Sequence, residues 1–416
     1  MSETTNVMNS EVVKRLLCYV SYDTQSKDES SEVPSTQKQF DLAKVLKKEL
    51  EEIGASDVRL SDHCYVYAKI PSNLDKKVPA IGFIAHMDTS PALSGKDIKP
   101  QIIQNYDGGV IKLGESGFSM GPNEFPALAE LKGKSLITTD GTTLLGADDK
   151  AGVSEIMTVV EQLLGSDTPH GKICIGFTPD EEVGSGADLF DVEGFGADYA
   201  YTVDGGIETE IVYENFNASG AKFEINGVNI HPGDAKDKMV NASIVAMEIN
   251  SMLPKLESPE HTEMYEGFYH LTGMSGNVEH AELSYIVRDH DSACFEAKEK
   301  TLRHIEKVLN EKYGAGTVKL EIHEQYRNMA EKIKPCMHLI DHAKDVMKEL
   351  GLTPDVSPVR GGTDGARLSF MGLPCPNLGT GGYAFHGPYE HITAEGMDLS
   401  VKIILGIIGK YAKETK

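Results

Sequence analysis

The 416-residue sequence lacks tryptophan, has few cysteines and contains no long hydrophobic run. Without about 18 consecutive apolar residues, no segment is expected to span a membrane. The six cysteines never form a CxxC pair, so we expect reduced thiols rather than a disulfide framework or a cysteine-bound zinc ion. The N-terminus has neither the basic start nor the apolar stretch of a secretory signal, which predicts a cytoplasmic protein.

Positive charge is also scarce. Forty basic residues stand against 64 acidic residues, which gives a formal net charge of -24. A surface of this sign repels phosphate backbones and anionic lipid, so nucleic acid and membranes are not expected as partners. An acidic cleft would, in contrast, suit divalent cations.

The length exceeds that of one ordinary hydrophobic core, so we expect at least two domains. Apolar runs alternate with helical periodicity at both ends of the chain, which predicts an α/β domain from residues 1–212 and 327–416. The segment 213–326 has its own order of strand, helix, strand, helix and strand, which predicts an inserted α+β domain. The continuous apolar runs read as strands covered on both faces are PAIGFIAH (79–86), KICIGFTP (172–179) and DYAYTVD (198–204).

Four polar motifs follow these predicted strands or open a predicted helix: HMD at 86–88, GADDK at 146–150, PDEE at 179–182 and VDGG at 203–206. Side chains at the carboxyl ends of the strands in an open α/β sheet converge on one crevice, so residues far apart in sequence can meet there. The candidates to meet are His86, Asp88, Asp148, Glu181, Glu182 and Asp204. Singly, HMD is more often structural and PDEE is more often a solvated turn, whereas GADDK is equally well explained as a helix N-cap and VDGG as a turn. The ordered set favours one shared site.

Five carboxylates in one crevice repel one another unless divalent cations lie between them. Mixed imidazole and carboxylate ligation favours zinc, with cobalt or manganese as substitutes, over magnesium or calcium. Two ions about 3.5 to 4 Å apart can share one carboxylate, and two ions call for a second histidine. His386 and His391 in GGYAFHGPYEHI both qualify, and spacing alone does not choose between them.

The neighbouring Glu181 and Glu182 suggest a division of labour. Adjacent side chains on extended backbone point apart, so one can bind metal while the other faces a water molecule. A divalent cation lowers the pKa of a coordinated water towards ~7, and a glutamate beside it can carry the proton to a leaving amine. This combination predicts peptide hydrolysis.

The sequence resembles the M20 family of dinuclear zinc exopeptidases over nearly its whole length. The resemblance rests on IAHMDTSPALSG, TTDGTTLLGADDKAGVSEI, TPDEEVGSGA, YTVDGGIETEIVYENFNA, HPG at 231–233, and VRGGTDGARLSF with the glycine-rich segment that follows. It implies a catalytic domain with a mixed central sheet flanked by helices. It further implies that two zinc ions share Asp148, one with His86 and Asp204, the other with Glu182 and His386, with Glu181 as general base. Asp88 would orient His86.

The resemblance also implies an aminopeptidase that removes the N-terminal residue of tripeptides carrying a free amine. The inserted domain would serve as a lid and a dimerisation surface, so a homodimer is expected. His231 would stabilise the oxyanion, although a turn histidine before Pro232 is the simpler explanation. Arg360 would hold a substrate carboxylate, and the alternative is an arginine bonded to the main chain in a glycine-rich turn. An M20-type dipeptidase, an N-acyl-amino-acid amidohydrolase and a non-catalytic metal-binding scaffold remain as alternatives.

Overall fold

The computed structural model describes residues 7–414, which divide into two compact units. The main unit contains residues 7–213, Glu331–Ser357 and 363–414, and the inserted unit contains Glu214–Ala330 and Pro358–Gly362. The chain enters the inserted unit after Tyr213 and leaves it after Ala330. Pro358–Gly362 belongs to the inserted unit because Val359 pairs with Asn215, a contact that the sequence did not indicate.

Within residues 7–414 the chain forms α-helices, β-strands and short 3₁₀ helices. The α-helices are α1 (Glu11–Tyr19), α2 (Gln39–Glu52), α3 (Ala147–Leu164), α4 (Val192–Phe195), α5 (Ala242–Met252), α6 (Ser292–Tyr313), α7 (Ala330–Ile333), α8 (His338–Glu349), α9 (Asp364–Phe370) and α10 (Ala394–Lys413). The strands are β1 (Ser56–Leu60), β2 (Val66–Ile70), β3 (Ile81–His86), β4 (Gln101–Ile103), β5 (Ile111–Lys112), β6 (Ser119–Met120), β7 (Leu136–Thr138), β8 (Ile173–Thr178), β9 (Tyr199–Val203), β10 (Ile211–Val212), β11 (Asn217–Asn226), β12 (Phe268–Gly276), β13 (His280–Asp289), β14 (Val318–Tyr326), β15 (Asn377–Leu378), β16 (Gly382–Tyr383) and β17 (His391–Thr393). The 3₁₀ helices are Val7–Asn9, Pro126–Leu131, Glu181–Val183, Pro232–Asp234, Pro259–His261 and Lys334–Cys336.

A seven-stranded mixed sheet forms the centre of the main unit, in the order β1-β2-β8-β3-β9-β15-β10. The strands β8, β3, β9 and β15 are parallel to their neighbours within this group, whereas β1, β2 and β10 pair antiparallel. Every residue of β3 and β8 is buried, as expected for strands covered on both faces. Helix α3 packs on β3 and β9, and α1 and α10 pack on α3. The predicted mixed α/β sheet flanked by helices is confirmed.

A second, smaller sheet in the main unit runs β16-β17-β7-β4 and is antiparallel throughout. Beside it lies the β5–β6 hairpin, and the two share a hydrophobic cluster made mainly of Tyr106, Ile111, Leu113, Met120, Leu128, Leu131 and Leu136. These strands have two or three residues each, so the sequence carries no readable periodicity for them.

The inserted unit is an antiparallel sheet of order β12-β13-β11-β14, with α5 and α6 packed on it. Strand β13 alternates between half-buried and buried residues along its whole length, because one face meets the helices. Asn241 and Asp291 begin the two helices by accepting backbone N–H groups with their side chains. This is the predicted α+β arrangement, with β12 as an added strand. None of the helices in residues 7–414 is both long and apolar enough to cross a bilayer.

Candidate metal centre

Three parallel strands of the main sheet deliver polar side chains to one edge. Strand β3 ends at His86, β8 is followed by the turn that carries Glu181 and Glu182, and β9 ends one residue before Asp204. Because β3 pairs in parallel with both β8 and β9, these carboxyl ends meet at the same edge. The order of the strands therefore brings four predicted site residues to one edge of the sheet: His86, Glu181, Glu182 and Asp204.

Asp148 reaches the same edge from the beginning of α3. The first turn of this helix is irregular: Asp148 has φ -84° and ψ 104°, and the peptide bond to Asp149 is cis. Gly146 precedes it in a left-handed conformation, with φ +76°. The side chain of Asp148 lies between two histidines, His86 and His386.

Two groups of side chains converge on Asp148. The first contains His86, Asp148 and Asp204, and the second contains Asp148, Glu182 and His386; in each group the potential ligand atoms lie within 4.8 Å of one another. His86 Nε2 is 3.0 Å from Asp148 Oδ1, and His386 Nε2 is 3.0 Å from both Asp148 Oδ2 and Glu182 Oε2. Each oxygen of Asp148 thus faces a different group, which is the arrangement of a bridging carboxylate.

Burial and close contact shift the pKa values of the histidines and carboxylates at this edge. Hydrogen bonds that His386 donates to Asp148 and Glu182 raise the pKa of its imidazole to about 10, so this side chain is a cation at neutral pH. Burial together with the neighbouring carboxylates raises the pKa of Asp204 to about 7, and burial also raises the pKa of Glu181 and of Glu182. Burial favours neutral Asp148 as well, but hydrogen bonds from His386 and His86 outweigh it and lower the pKa. Without metal, protonated imidazole therefore supplies the positive charge that faces these carboxylates.

A buried carboxylate oxygen without a hydrogen-bond donor also indicates that this group of side chains fits a divalent metal ion. Glu182 Oε1 is buried and has no hydrogen-bond partner among the described residues. A buried carboxylate oxygen left without a donor is costly, and a cation at the centre would satisfy it. Each group offers three ligands of mixed nitrogen and oxygen type, which is typical of zinc sites that keep one position open.

Asp88 is fully buried and holds two parts of the centre at once. The Nδ1 atom of His86 donates to the backbone oxygen of Asp88 at 3.1 Å and lies 3.3 Å from its Oδ1. The same carboxylate accepts the backbone N–H groups of Glu181 at 3.0 Å and Glu182 at 3.2 Å. Asp88 therefore fixes both the ring of His86 and the glutamate turn.

Two further buried carboxylates, which the sequence interpretation missed, hold the backbones of ligand residues. Asp149 accepts the N–H group of His86 at 3.1 Å. Glu390 accepts the N–H groups of Leu145, Gly146 and Asp148 at 2.7 to 3.1 Å. The second aspartate of GADDK was a visible signal for Asp149, whereas nothing local to the sequence marks Glu390.

The two candidate histidines near the C-terminus have different surroundings. His386 lies in the loop after β16 and faces Asp148 and Glu182. His391 lies in β17, donates through Nδ1 to the backbone oxygen of Tyr389 at 2.8 Å, and stacks on Tyr383. Of His386 and His391, only His386 belongs to a group of potential metal ligands among the described residues.

The remaining predicted site residues, His231 and Arg360, belong to the inserted unit. His231 is exposed at the beginning of the Pro232–Asp234 turn, where its Nδ1 accepts the N–H group of Gly233 at 3.2 Å. The guanidinium of Arg360 donates to the backbone oxygens of Met264 and Glu266 and to Thr262, at 2.9 Å each. Arg360 is thus partly engaged within its own unit.

Comparison with known proteins identifies the family. Residues 213–317 match the family described as the peptidase dimerisation domain of M20 enzymes. The chain is 54% identical over 406 residues to peptidase T of Alkaliphilus oremlandii, covering 97% of this chain and 99% of that protein. The crystal structure of aminopeptidase PepT from Bacillus cereus superposes with a TM-score of 0.77 at 25% identity, covering 97% and 98% of the two chains. A dinuclear metal-binding M20 peptidase of Bacillus subtilis shares the fold, with a TM-score of 0.65 at 14% identity and coverage of 97% and 98%. The chain therefore belongs to the peptidase T family of M20 peptidases.

Proposed function

We propose that this protein is an aminopeptidase that removes the N-terminal residue of tripeptides, using two zinc ions that share Asp148. The observation that carries the proposal is the pair of 3.0 Å approaches from His86 Nε2 and His386 Nε2 to opposite oxygens of the Asp148 carboxylate. Membership of the peptidase T family supports the reaction and the substrate class.

The ligands proposed for one ion are His86, Asp148 and Asp204, and those for the other are Asp148, Glu182 and His386. Zinc bound there would polarise the scissile carbonyl and lower the pKa of a water molecule. Cobalt or manganese could replace zinc, because the ligand set of imidazoles and carboxylates suits all three.

Glu181 is the proposed general base. Its backbone is fixed by Asp88, its neighbour Glu182 belongs to the second ligand group, and its own carboxylate is left for proton transfer. It would take the proton of the attacking water and then deliver it to the leaving amine. Asp88 keeps His86 oriented through the contacts to Nδ1 during both steps.

Two residues of the inserted unit are proposed to act on the substrate. His231 would stabilise the oxyanion, and Arg360 would bind the C-terminal carboxylate of the tripeptide. An arginine has five N–H donors, and the contacts to Thr262, Met264 and Glu266 engage three of them. Replacing Arg360 by lysine should raise KM more than it lowers kcat, which steady-state kinetics on a tripeptide measures; an unchanged KM would remove this role.

We further propose that the protein is a cytoplasmic homodimer in which residues 213–326 act as a lid and as the dimerisation surface. The match of residues 213–317 to the peptidase dimerisation domain supports the dimer. The six free cysteines suit a reducing compartment. Sedimentation of the active protein as a monomer would argue against the dimer.

The function is tested by supplying the zinc-loaded protein with a tripeptide, the matching N-acetylated tripeptide and a dipeptide. Release of the N-terminal amino acid from the free tripeptide alone is the expected result, because an aminopeptidase requires the free amine. Cleavage of the acetylated substrate would indicate an amidohydrolase, and preference for the dipeptide would indicate a dipeptidase. No turnover of any substrate would indicate a metal-binding scaffold.

A further inference from the structure

Glu390 occupies an unusual position beside the candidate metal centre. Its side chain is only 1% exposed and lies in the segment between His386 and strand β17. Oε2 accepts the N–H groups of Leu145 at 2.7 Å and Gly146 at 3.0 Å, and Oε1 accepts that of Asp148 at 3.1 Å. All hydrogen bonds of this buried carboxylate therefore go to the backbone that carries the bridging aspartate.

The three amides have a specific need for such an acceptor. Gly146 is the N-cap residue of α3 and Asp148 lies in its first turn, where N–H groups have no partner within the helix, and Leu145 lies just before them. Asp148 and Asp149 depart from helical dihedrals, and no side chain caps the helix at Gly146. Glu390 supplies the missing acceptor from a segment more than 240 positions away in sequence.

The segment that carries Glu390 is itself firmly held on one side. Strand β17, which follows directly, pairs with β7 and β16, and Tyr389 packs on Phe125 with ring centroids 4.9 Å apart. On the other side, His386 has φ +63° and a side chain that is 49% exposed, and its imidazole contacts Asp148 and Glu182. Glu390 therefore lies between an anchored strand and the loop that carries His386.

We propose that Glu390 is a positioning residue that fixes the spacing between Asp148 and His386, and thereby the affinity of the centre for its metal ions. The inference rests on the proposed two-metal centre. Glu390 touches neither substrate nor metal in this account; it acts through the backbone of Asp148 and through its short connection to His386. A carboxylate is required because each of its two oxygens accepts N–H groups, whereas an amide offers one oxygen and one NH₂ group.

The matched pair of variants is Glu390→Gln and Glu395→Gln. Glu395 also accepts a backbone N–H group in the main unit, from Ser135 at 2.8 Å, but it holds no metal-ligand segment. In Glu390→Gln the NH₂ group must face at least one N–H donor, whichever way the amide turns. Both substitutions remove one carboxylate with nearly the same shape, so they differ in whether the ligand backbone is held.

The dissociation constants of the zinc ions are measured for wild type and both variants by competition with a chromophoric chelator, and the visible spectra of the cobalt-substituted proteins are recorded. Glu390→Gln should bind the ions 10- to 100-fold more weakly and show an altered cobalt spectrum, as expected when an outer contact of a ligand is lost. Glu395→Gln should match wild type in both. Wild-type affinity and spectrum in Glu390→Gln would overturn the proposal, whereas a wild-type protein that binds no metal would instead overturn the proposed function.

Hydrogen–deuterium exchange on the wild-type protein keeps the test decisive if Glu390→Gln fails to fold. The amides of Leu145, Gly146 and Asp148 should exchange slowly, because the buried Glu390 carboxylate accepts all three. Exchange of these amides at the rate of an open loop would overturn the proposal.

Discussion

At the scale of single residues, carboxylates at the centre have two opposite tasks. Asp148, Glu182 and Asp204 each belong to a group of potential metal ligands that contains a histidine. Glu181 is the proposed proton carrier. Asp88, Asp149 and Glu390 direct their oxygens towards backbone N–H groups. In the proposed centre the first set would bind metal, and the second set holds the backbones of the proposed ligand residues in place.

Neighbouring glutamates should respond differently to the same substitution. Glu181→Gln should keep two ions per chain and lower kcat by about 10²- to 10⁴-fold, because only the proton carrier is lost. Glu182→Gln should lose metal from the group that contains His386, because an amide replaces a charged ligand. Metal content by atomic emission, measured beside kcat, distinguishes the two. Loss of metal in Glu181→Gln would instead make that residue a ligand.

Metal binding should release protons at neutral and mildly alkaline pH. Hydrogen bonds to Asp148 and Glu182 raise the pKa of His386 to about 10, so the metal-free imidazole is protonated at pH 8 and must lose that proton to become a ligand. A titration with zinc in weakly buffered solution should show the release. The release from His386 should fade as the pH passes about 10, and His386→Ala should release about one proton fewer. Equal release by that variant would contradict the assignment.

The raised pKa of His386 also determines how the stability of the metal-free protein changes with pH. A histidine whose pKa is raised by folding contributes stability that is fully present below its unfolded value of about 6.5. That contribution is lost progressively as the pH rises through about 10.

Sequence reasoning identified the residues that follow strands, because strand order alone brings their side chains to one edge. It left His386 and His391 unresolved until the family resemblance was considered, since both lie in the same short segment. It missed Glu390, whose task depends on contact with amides of α3. Long-range backbone contacts of this kind leave no local pattern of residue types.

At the scale of elements, the approach of α3 to β9 determines how far apart Asp148 and Asp204 lie. Gly152 is at the point of closest approach, where an added Cβ would come within 1.8 Å of the backbone oxygen of Val203. Since that atom is backbone, it has little freedom to move. The glycine therefore permits the helix and the strand to hold their ligands at metal-binding distance.

Gly152→Ala should destabilise the fold by about 1 to 3 kcal/mol or more, as overpacking does in well-packed interiors. It should also weaken metal binding, because relief of the clash separates α3 from β9. Gly409→Ala is the control: Gly409 lies in helix α10 with nothing within 4 Å of the added Cβ. That change should be neutral or slightly stabilising. Urea unfolding of both variants gives the comparison, and equal stability would contradict the argument.

The long elements could be predicted and the short ones could not. Helices α1, α2, α3 and α10 and strands β3, β8 and β9 have clear periodicity or continuous apolar runs. Strands β4 to β7 have only two or three residues. Strand β7 pairs with β17 and β4, and β5 pairs with β6, and no single segment reveals these pairings.

At the scale of the whole molecule, the chain leaves the main unit near Tyr213 and returns near Glu331, but Pro358–Gly362 again belongs to the inserted unit. The sequence showed the large insertion through its change of element order. It did not show the small return, because five residues carry too little pattern.

Removal of metal should destabilise the protein measurably. Each ion that binds only the folded chain adds about 2.7 kcal/mol when its free concentration is 100-fold above the dissociation constant. The buried oxygen of Glu182 and the neighbouring carboxylates also lose their compensating charge. Treatment with a chelator should therefore lower the thermal midpoint, and added zinc should restore it. An unchanged midpoint in protein shown to be metal-free would contradict this expectation.

The proposed mechanism depends most on two metal ions that share Asp148. A crystal of the zinc-loaded protein, measured on both sides of the zinc absorption edge, tests this directly through anomalous difference density. Two peaks are predicted, one among His86, Asp148 and Asp204 and the other among Asp148, Glu182 and His386. A single peak, or two peaks that do not flank the Asp148 carboxylate, would contradict the account.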